Sequence, residues 1–181
     1  MGLLDSTFWT TGTVLSDNMA KESTLGGFFL PLYELPMIIM GIIVAKLGIY
    51  KGKKKLAEYF MLVSGALLVS MYFVQTTALL LAISFCVGVT ASVCWPLRDA
   101  VYSDLVSRMG FEGKHMIGLS GSTISLAYII GPIVSGGLAS LFGEIETFAI
   151  VGLLLVLVSV FLLMVTPKKL RLPESVIETW N

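Results

Sequence analysis

The sequence predicts an all-α, polytopic integral membrane protein, and three observations carry this prediction. Hydrophobic residues make up 56% and charged residues 13% of the 181 residues, and the mean hydropathy is +0.89, which is outside the range of ordinary soluble domains. The apolar residues fall into long runs separated by short polar segments. The basic residues gather in alternate segments, as they do in membrane proteins of defined orientation. We therefore predict five complete transmembrane helices plus part of a sixth, which we name spans A to F.

The first apolar run, span A at residues 1–16, is too short for a complete crossing of about 20 residues. It is not a typical signal peptide, because it has no basic N-terminal region and Asp5 interrupts its apolar core. We interpret it as the outer half of a membrane helix that is followed by a polar loop at residues 17–24. Span B, residues 25–48, is long enough to cross the membrane.

The remaining apolar runs predict four more membrane helices. They are span C at residues 57–74, span D at 77–105, span E at 116–141 and span F at 148–165. Residues 143–146 form the predicted turn between spans E and F. Residues 1–166 are thus expected to form the membrane domain, and residues 167–181 a solvated cytoplasmic tail that begins with Pro167.

The segment between spans B and C orients the chain, because five lysines lie within residues 46–55. Loop B/C, loop D/E and the C-terminal flank hold ten of the twelve Lys and Arg residues: Lys46, Lys51, Lys53, Lys54, Lys55, Arg108, Lys114, Lys168, Lys169 and Arg171. The opposite side holds only Lys21, and Arg98 lies inside span D. We predict that the basic segments are cytoplasmic, with the plasma membrane as the expected location.

Composition also argues against several classes of partner. The net charge is zero, so no basic field favours nucleic acid. Cys86 and Cys94 are eight residues apart, without a CxxC pattern or neighbouring histidines, and we interpret them as buried free thiols. We expect no cofactor and no metal. The expected partners are the lipid bilayer and a small-molecule substrate.

The segment between spans B and C also contains glycine and lysine residues at a characteristic spacing. Gly41, Lys46 and Gly48 match the pattern Gly-x3-Asp-Arg/Lys-x-Gly, with Ala45 in place of the Asp. Span D adds the spacing Gly88, Pro96, Asp104.

Span E carries a further pattern, Gly-x8-Gly-x3-Gly-Pro-x2-Gly-Gly, in which small residues replace two of the glycines. The positions are Gly118, Ala127, Gly131, Pro132, Ser135 and Gly136. In their order and predicted sidedness, these patterns resemble those of major facilitator superfamily transporters.

The resemblance implies a transporter of two six-helix halves, each built from three-plus-three inverted repeats. This chain resembles the C-terminal half, with spans A to F as its seventh to twelfth helices, and its partner would be the missing N-terminal half. The implied function is a permease that moves a small solute by alternating access. The resemblance implies gating roles for Gly41, Lys46, Gly48, Gly131 and Pro132. Small residues in span E are also expected to allow close helix packing, namely Gly118, Gly131, Gly136 and Gly137.

Two carboxyl groups are predicted to lie near the middle of the membrane. Asp5 precedes Asp17 by 12 residues, which places it about 18 Å from the outer surface of a core about 30 Å thick. Glu34 lies roughly 13 Å from the same surface. An acidic group there costs about 2.5 to 3.5 kcal/mol on insertion scales, so it needs a cavity, a partner or a proton. We predict proton coupling or substrate binding, and the alternative is a structural hydrogen bond.

Aromatic and charged residues complete the set of candidates. Trp9, Tyr33 and Tyr128 are predicted to contact substrate, with packing as the alternative. Arg98 and Asp99 are expected near the inner end of span D, where they favour an inner gate over a central site. As sequence neighbours they point about 100° apart and are not expected to pair, and Arg98 could instead reach the lipid headgroups.

One face of span D is also expected to line a cavity. Trp95, Asp99 and Tyr102 share this face because they are spaced four and three residues apart. Tyr102 therefore joins the predicted gate, and a packing stripe is the alternative.

Two other functions compete with transport. The fragment Gly118-Leu-Ser120-Gly121 is similar to that of rhomboid-type serine proteases, but the only histidine, His115, lies about 140° away around the same helix. The other alternative is a small structural or regulatory membrane subunit. No sequence motif identifies the solute that would be transported.

Overall fold

The computed structural model describes residues 1–47, 52–109 and 113–165, and this part of the chain is helical and contains no strand. Its α-helices are α1 (Gly2–Thr7), α2 (Thr13–Glu22), α3 (Phe29–Leu47), α4 (Lys53–Met71), α5 (Thr77–Arg108), α6 (Gly113–Phe142) and α7 (Glu144–Val165). A π-helical turn, Phe8–Gly12, joins α1 to α2, and a 3-10 turn, Thr24–Phe28, precedes α3. The predicted all-α class is confirmed.

The first helical rod is longer than the sequence suggested. Helix α1, the π turn and α2 run without a break from residue 2 to residue 22, so the polar loop predicted at residues 17–24 was wrong over most of its length. Leu15 and Met19 are both buried, and their spacing of four keeps one face of α2 packed beyond the polar Asp17. The rod ends at Ser23, whose extended backbone and hydroxyl cap the 3-10 turn.

Two other helix ends differ from the predicted bounds. Helix α4 begins at Lys53, so three lysines form its first turn, directly after Gly52 in the left-handed conformation (φ 76°). The turn predicted at residues 143–146 is Gly143 alone (φ 108°). Glu144 and Glu146 belong to the first turn of α7, where the helix dipole favours acidic side chains.

Four described helical segments are long and apolar enough to cross a membrane: Thr24–Val44, Thr77–Ser107, Met116–Phe142 and Glu144–Val165. Helix α4 also has 19 residues, but its first two turns hold Lys53, Lys54, Lys55 and Glu58. The rest of the lysine segment, residues 48–51, and the predicted tail, residues 167–181, lie outside the described residues. Of the two free cysteines, Cys94 is buried as predicted and Cys86 is exposed.

Close helix packing occurs at one of the predicted glycines and at two others. In α6 only Gly131 is tightly packed, because a Cβ there would overlap the Ser6 side chain of α1. Gly118, Gly136 and Gly137 have open space where a Cβ would point. The tight contact lies instead between α4 and α7, where Gly65 and Gly152 face each other and a Cβ on either would meet backbone atoms.

Replacing Gly152 with alanine should therefore destabilise the bundle. The added Cβ would lie 2.7 Å from the Gly65 carbonyl oxygen and 2.9 Å from the Val69 nitrogen, and backbone atoms cannot rotate away. We expect a loss of about 1–3 kcal/mol, typical of overpacking, measured as a lower melting temperature in detergent. Gly137→Ala is the matched control and should melt like the unsubstituted protein. Equal melting of the two variants would contradict the close contact between α4 and α7.

Candidate functional site

The predicted carboxyl group of Asp5 lies at the meeting point of three helices. Its side chain on α1 is only 7% exposed. The Tyr33 hydroxyl of α3 donates a hydrogen bond to Oδ1 over 3.0 Å, and the Tyr128 hydroxyl of α6 donates one to Oδ2. Hydrogen bonds to a charged acceptor are stronger than neutral ones. The carboxylate thus joins α1, α3 and α6 without a cationic partner among the described residues.

An aromatic cluster fixes the position of Tyr33. The Phe8 ring, at the start of the π turn, stacks on Tyr33 with centroids 3.8 Å apart and planes inclined by 5°. Phe29 and Phe148 pack on the same Phe8 ring at 5.8 and 4.8 Å. A Cβ at Gly12 would lie 3.4 Å from the Phe29 and Phe148 rings, which is ordinary van der Waals contact. π turns within helices are frequent at functional sites, and here one places Phe8 beside the Asp5–Tyr33 hydrogen bond.

Glu34 lies beside this cluster but is not bonded into it. Its side chain is half-buried, and it is close enough to interact electrostatically with Asp5. Within the described ranges it forms no hydrogen bond or ion pair. The Trp9 side chain is 53% exposed and is not a member of the aromatic cluster. The structure therefore brings Asp5, Tyr33, Tyr128 and Glu34 together, and it leaves Trp9 apart.

A second site is a cavity of about 570 Å³ between α1, α4, α5 and α6. The face predicted from the spacing of Trp95, Asp99 and Tyr102 lines it, and Arg98 does so too. The Tyr102 hydroxyl donates a hydrogen bond to the Met116 carbonyl of α6. Lys54, in the first turn of α4, also lines the cavity, so the cavity lies at the end of the bundle where α4 begins.

Charged groups in this cavity are not paired with one another. Glu58 is 5% exposed, and its Oε2 atom is buried without a hydrogen-bond partner. Among the described residues Arg98 donates to the Met61 sulfur, over 3.7 Å, which is a weak acceptor. The buried ammonium group of Met1 lies close enough to Glu58 and Arg98 to interact electrostatically with both. In residues 1–47, 52–109 and 113–165 the one ion pair is Lys53 with Asp104, at 2.8 Å.

The predicted gating residues occupy different environments. Gly41 and Lys46 are exposed in the last turns of α3, and Gly48 lies outside the described residues. Gly131 contacts Ser6, and the half-buried Pro132 follows it. Gating by these residues, and by Arg98, Asp99 and Tyr102, stays a prediction.

Sequence reasoning missed Glu58, although the signal was present. Residues 56–71 form an apolar run with one carboxyl group at position 58. The same argument that selected Asp5 and Glu34, the cost of an ionisable group inside a span, applies to it. It was overlooked because the predicted start of span C, residue 57, placed it at the membrane surface.

The fold defines a polytopic helical membrane protein, and Asp5 and Glu58 are buried carboxyl groups within it. The profile of the Major Facilitator Superfamily matches residues 1–180, and the chain belongs to this family. Comparisons with curated proteins and with solved structures gave no match. Members of this family are secondary transporters rather than enzymes.

Proposed function

We propose that the chain is the C-terminal six-helix half of a secondary active transporter, in which Asp5 and Glu34 couple solute movement to protons. The observation that carries this proposal is the carboxylate of Asp5, held by phenol donors from two other helices. An intramembrane carboxyl group at a junction of helices is a functional site by default. Here its protonation state affects three helices at once.

Coupling follows from the hydrogen-bond chemistry of this junction. An ionised carboxylate accepts from both Tyr33 and Tyr128, whereas a protonated carboxyl group has one oxygen that carries a hydrogen and accepts less strongly. Protonation thus weakens one of the two links between α1 and its neighbours. Glu34 lies close to Asp5 and is half-buried, so it can relay protons or meet a cationic solute. A change in the charge of Asp5 therefore changes the contacts of α1 with α3 and α6.

The exposed face of α6 supports the proposal that a second, N-terminal half packs against this chain. Only 11% of the most apolar window of α6 is buried, against 56% for α5. Ser122, Thr123 and Ser125 are exposed on α6, and the first two hydroxyls bond only to their own helix backbone. Hydroxyl groups are poorly placed against lipid tails. A water-filled cavity shared with the N-terminal half would solvate them.

The test of transport uses the full gene product in proteoliposomes with an imposed proton gradient. A panel of radiolabelled sugars, amino acids, amines and carboxylates is screened, and empty liposomes are the control. We expect gradient-dependent accumulation of at least one solute class, with alkalinisation or acidification of the lumen that depends on that solute. A gene product that binds and moves none of them would favour the alternative of a structural subunit.

Sidedness provides a separate prediction. In a background with Cys86 and Cys94 replaced by alanine, single cysteines are placed at the exposed Lys55 and Glu22 positions. Because the basic segments are expected in the cytoplasm, an impermeant maleimide should label the Glu22 position on intact cells and the Lys55 position only after lysis. Equal labelling of both on intact cells would contradict the cytoplasmic location of the lysines and of the C-terminus.

A further inference from the structure

The contacts between α1 and α6 follow a regular spacing. A Cβ on Gly2 would lie 2.8 Å from the Ala127 Cβ, and the Ser6 side chain fills the space beside Gly131. Each helix advances by four residues between these two contacts, which is about one α-helical turn. Both contacts pair small residues, so the two helices approach each other closely here.

This spacing changes at the π turn, Phe8–Gly12. The next contact is the hydrogen bond from the Thr11 hydroxyl to the Ser135 carbonyl. It lies five residues after Ser6 but only four residues after Gly131. The hydrogen bonds of a π turn span five residues instead of four, so the turn holds one residue more than an α-helical turn. This extra residue keeps the contacts on both sides of the turn in register with α6.

We propose that the π turn is a register switch, which converts to α-helix and thereby shifts α1 by one residue along α6. The shift moves each side chain of α1 by about 1.5 Å along the helix axis and about 100° around it. Asp5 then leaves Tyr33 and Tyr128, and Ser6 takes its place between the two phenols. Small helix shifts of this kind are an established mode of conformational change.

The shifted register does not fit the present position of α6. Leu3 would face Ala127 in place of a glycine. Thr7 would likewise face Gly131 in place of a serine. Both larger side chains would overlap α6, so the inner part of α6 has to move away when α1 shifts. Pro132 lies inside α6 directly after Gly131, and proline is a common site of helix bending. The register of α1 and the position of α6 are thus coupled.

The polar contact between the π turn and α6 is weak. The hydrogen bond from Thr11 to the Ser135 carbonyl is long, at 3.4 Å. The Ser135 hydroxyl beside it is fully buried and has no hydrogen-bond partner in the part of the chain that the structure describes. A buried hydroxyl without a partner costs stability. This part of the interface can therefore rearrange at low cost.

The first test deletes Thr10 from the full gene product, with Cys86 and Cys94 replaced by alanine. Removing one residue from the turn leaves a continuous α-helix whose contacts with α6 keep their present register, so the melting temperature should not change. Deletion of Leu154, an exposed residue in the middle of α7, is the control. It should lower the melting temperature, because it turns packed side chains away from α4. An equal fall in both deletion variants overturns the proposal.

Disulfide crosslinking then measures the two registers without any solute or proton gradient, so failure of proton coupling at Asp5 would leave this test unaffected. The pair Gly2→Cys with Ala127→Cys matches the present register, and the pair Leu3→Cys with Ala127→Cys matches the shifted one. Both pairs should crosslink when the π turn is intact.

Deletion of Thr10 should lower the initial rate of the Leu3 pair about tenfold or more and spare the Gly2 pair. The reason is that the shifted register, a minor state of roughly 0.1–10%, is no longer reached. If the Leu3 pair does not crosslink, or crosslinks equally fast with and without Thr10, the turn is static and the proposal is overturned.

A substitution tests the switch without a deletion. Thr11→Val keeps the shape of the side chain but removes the hydrogen bond to the Ser135 carbonyl, which should release the turn. The rate of the Leu3–Ala127 crosslink should rise about two- to tenfold, the factor for one hydrogen bond. Thr147→Val, which removes a buried hydroxyl bonded at the start of α7, is the control and should not change this rate. No rise in Thr11→Val, or an equal rise in both variants, contradicts the switch.

Discussion

Glu34→Gln is expected to abolish proton-driven accumulation of the solute while solute exchange down its own gradient continues. The substitution nearly preserves the shape of the side chain but leaves it permanently neutral, so it can neither take up nor release a proton. Alternating access itself needs no change of charge at this position, and counterflow should persist. The measurement compares accumulation at an imposed pH difference with counterflow at equal pH. We expect accumulation to fall about tenfold or more, since the coupling step has lost its carrier.

Asp5→Asn should show the same loss and a second defect. The amide keeps one acceptor oxygen but presents a donor where Tyr33 or Tyr128 donates, so one hydrogen bond is lost and α1 loosens. The melting temperature of the Asp5→Asn variant should therefore drop. That of Glu34→Gln should not, because Glu34 has no bonded partner in the described residues. Asp17→Asn, at an exposed position, is the control. If the Glu34→Gln variant still accumulated solute and this accumulation still followed the proton gradient, Glu34 would not be the coupling residue and its role would be structural.

The helical architecture could be predicted because membrane insertion constrains it strongly. Long apolar runs must be helices when no water satisfies the backbone, so the helices α3, α5, α6 and α7 correspond to spans B, D, E and F. The ends were less predictable. Residues 17–22 look like a loop by polarity, but buried Leu15 and Met19 continue the packed face of α2.

Individual candidates at the site were predictable, but their connections were not. Asp5 and Glu34 stood out because a carboxyl group inside a span is costly. The bond between Tyr128 and Asp5, however, joins residues 123 positions apart, and helical spacing cannot rank one exposed tyrosine above another. The α6 glycines illustrate the same limit, because three of the four expected to pack face open space. The local pattern identifies small residues, and only the tertiary arrangement selects the ones in contact.

The isolated chain of 181 residues is expected to transport nothing. Helix α6 exposes Ile129, Ile133 and Leu141 at 64%, 72% and 77%, and α3 exposes Ile38 at 71%. Lipid can cover such side chains, but it cannot solvate the exposed hydroxyl groups of α6 at Ser122, Thr123 and Ser125. One half therefore supplies one wall of the transport path.

Expressed alone, the chain should form homodimers or aggregates in detergent and give no flux above that of empty liposomes. Co-expression with an N-terminal half encoded upstream in the same reading frame should restore a monodisperse complex and solute uptake. Size-exclusion chromatography with light scattering and a liposome flux assay measure the two outcomes. A monodisperse monomer of the isolated chain that moves solute would contradict the half-transporter proposal. In that case water inside this single bundle would have to solvate the exposed hydroxyl groups of α6. The helix junction at Asp5 would have to control the access of that water without a second six-helix half.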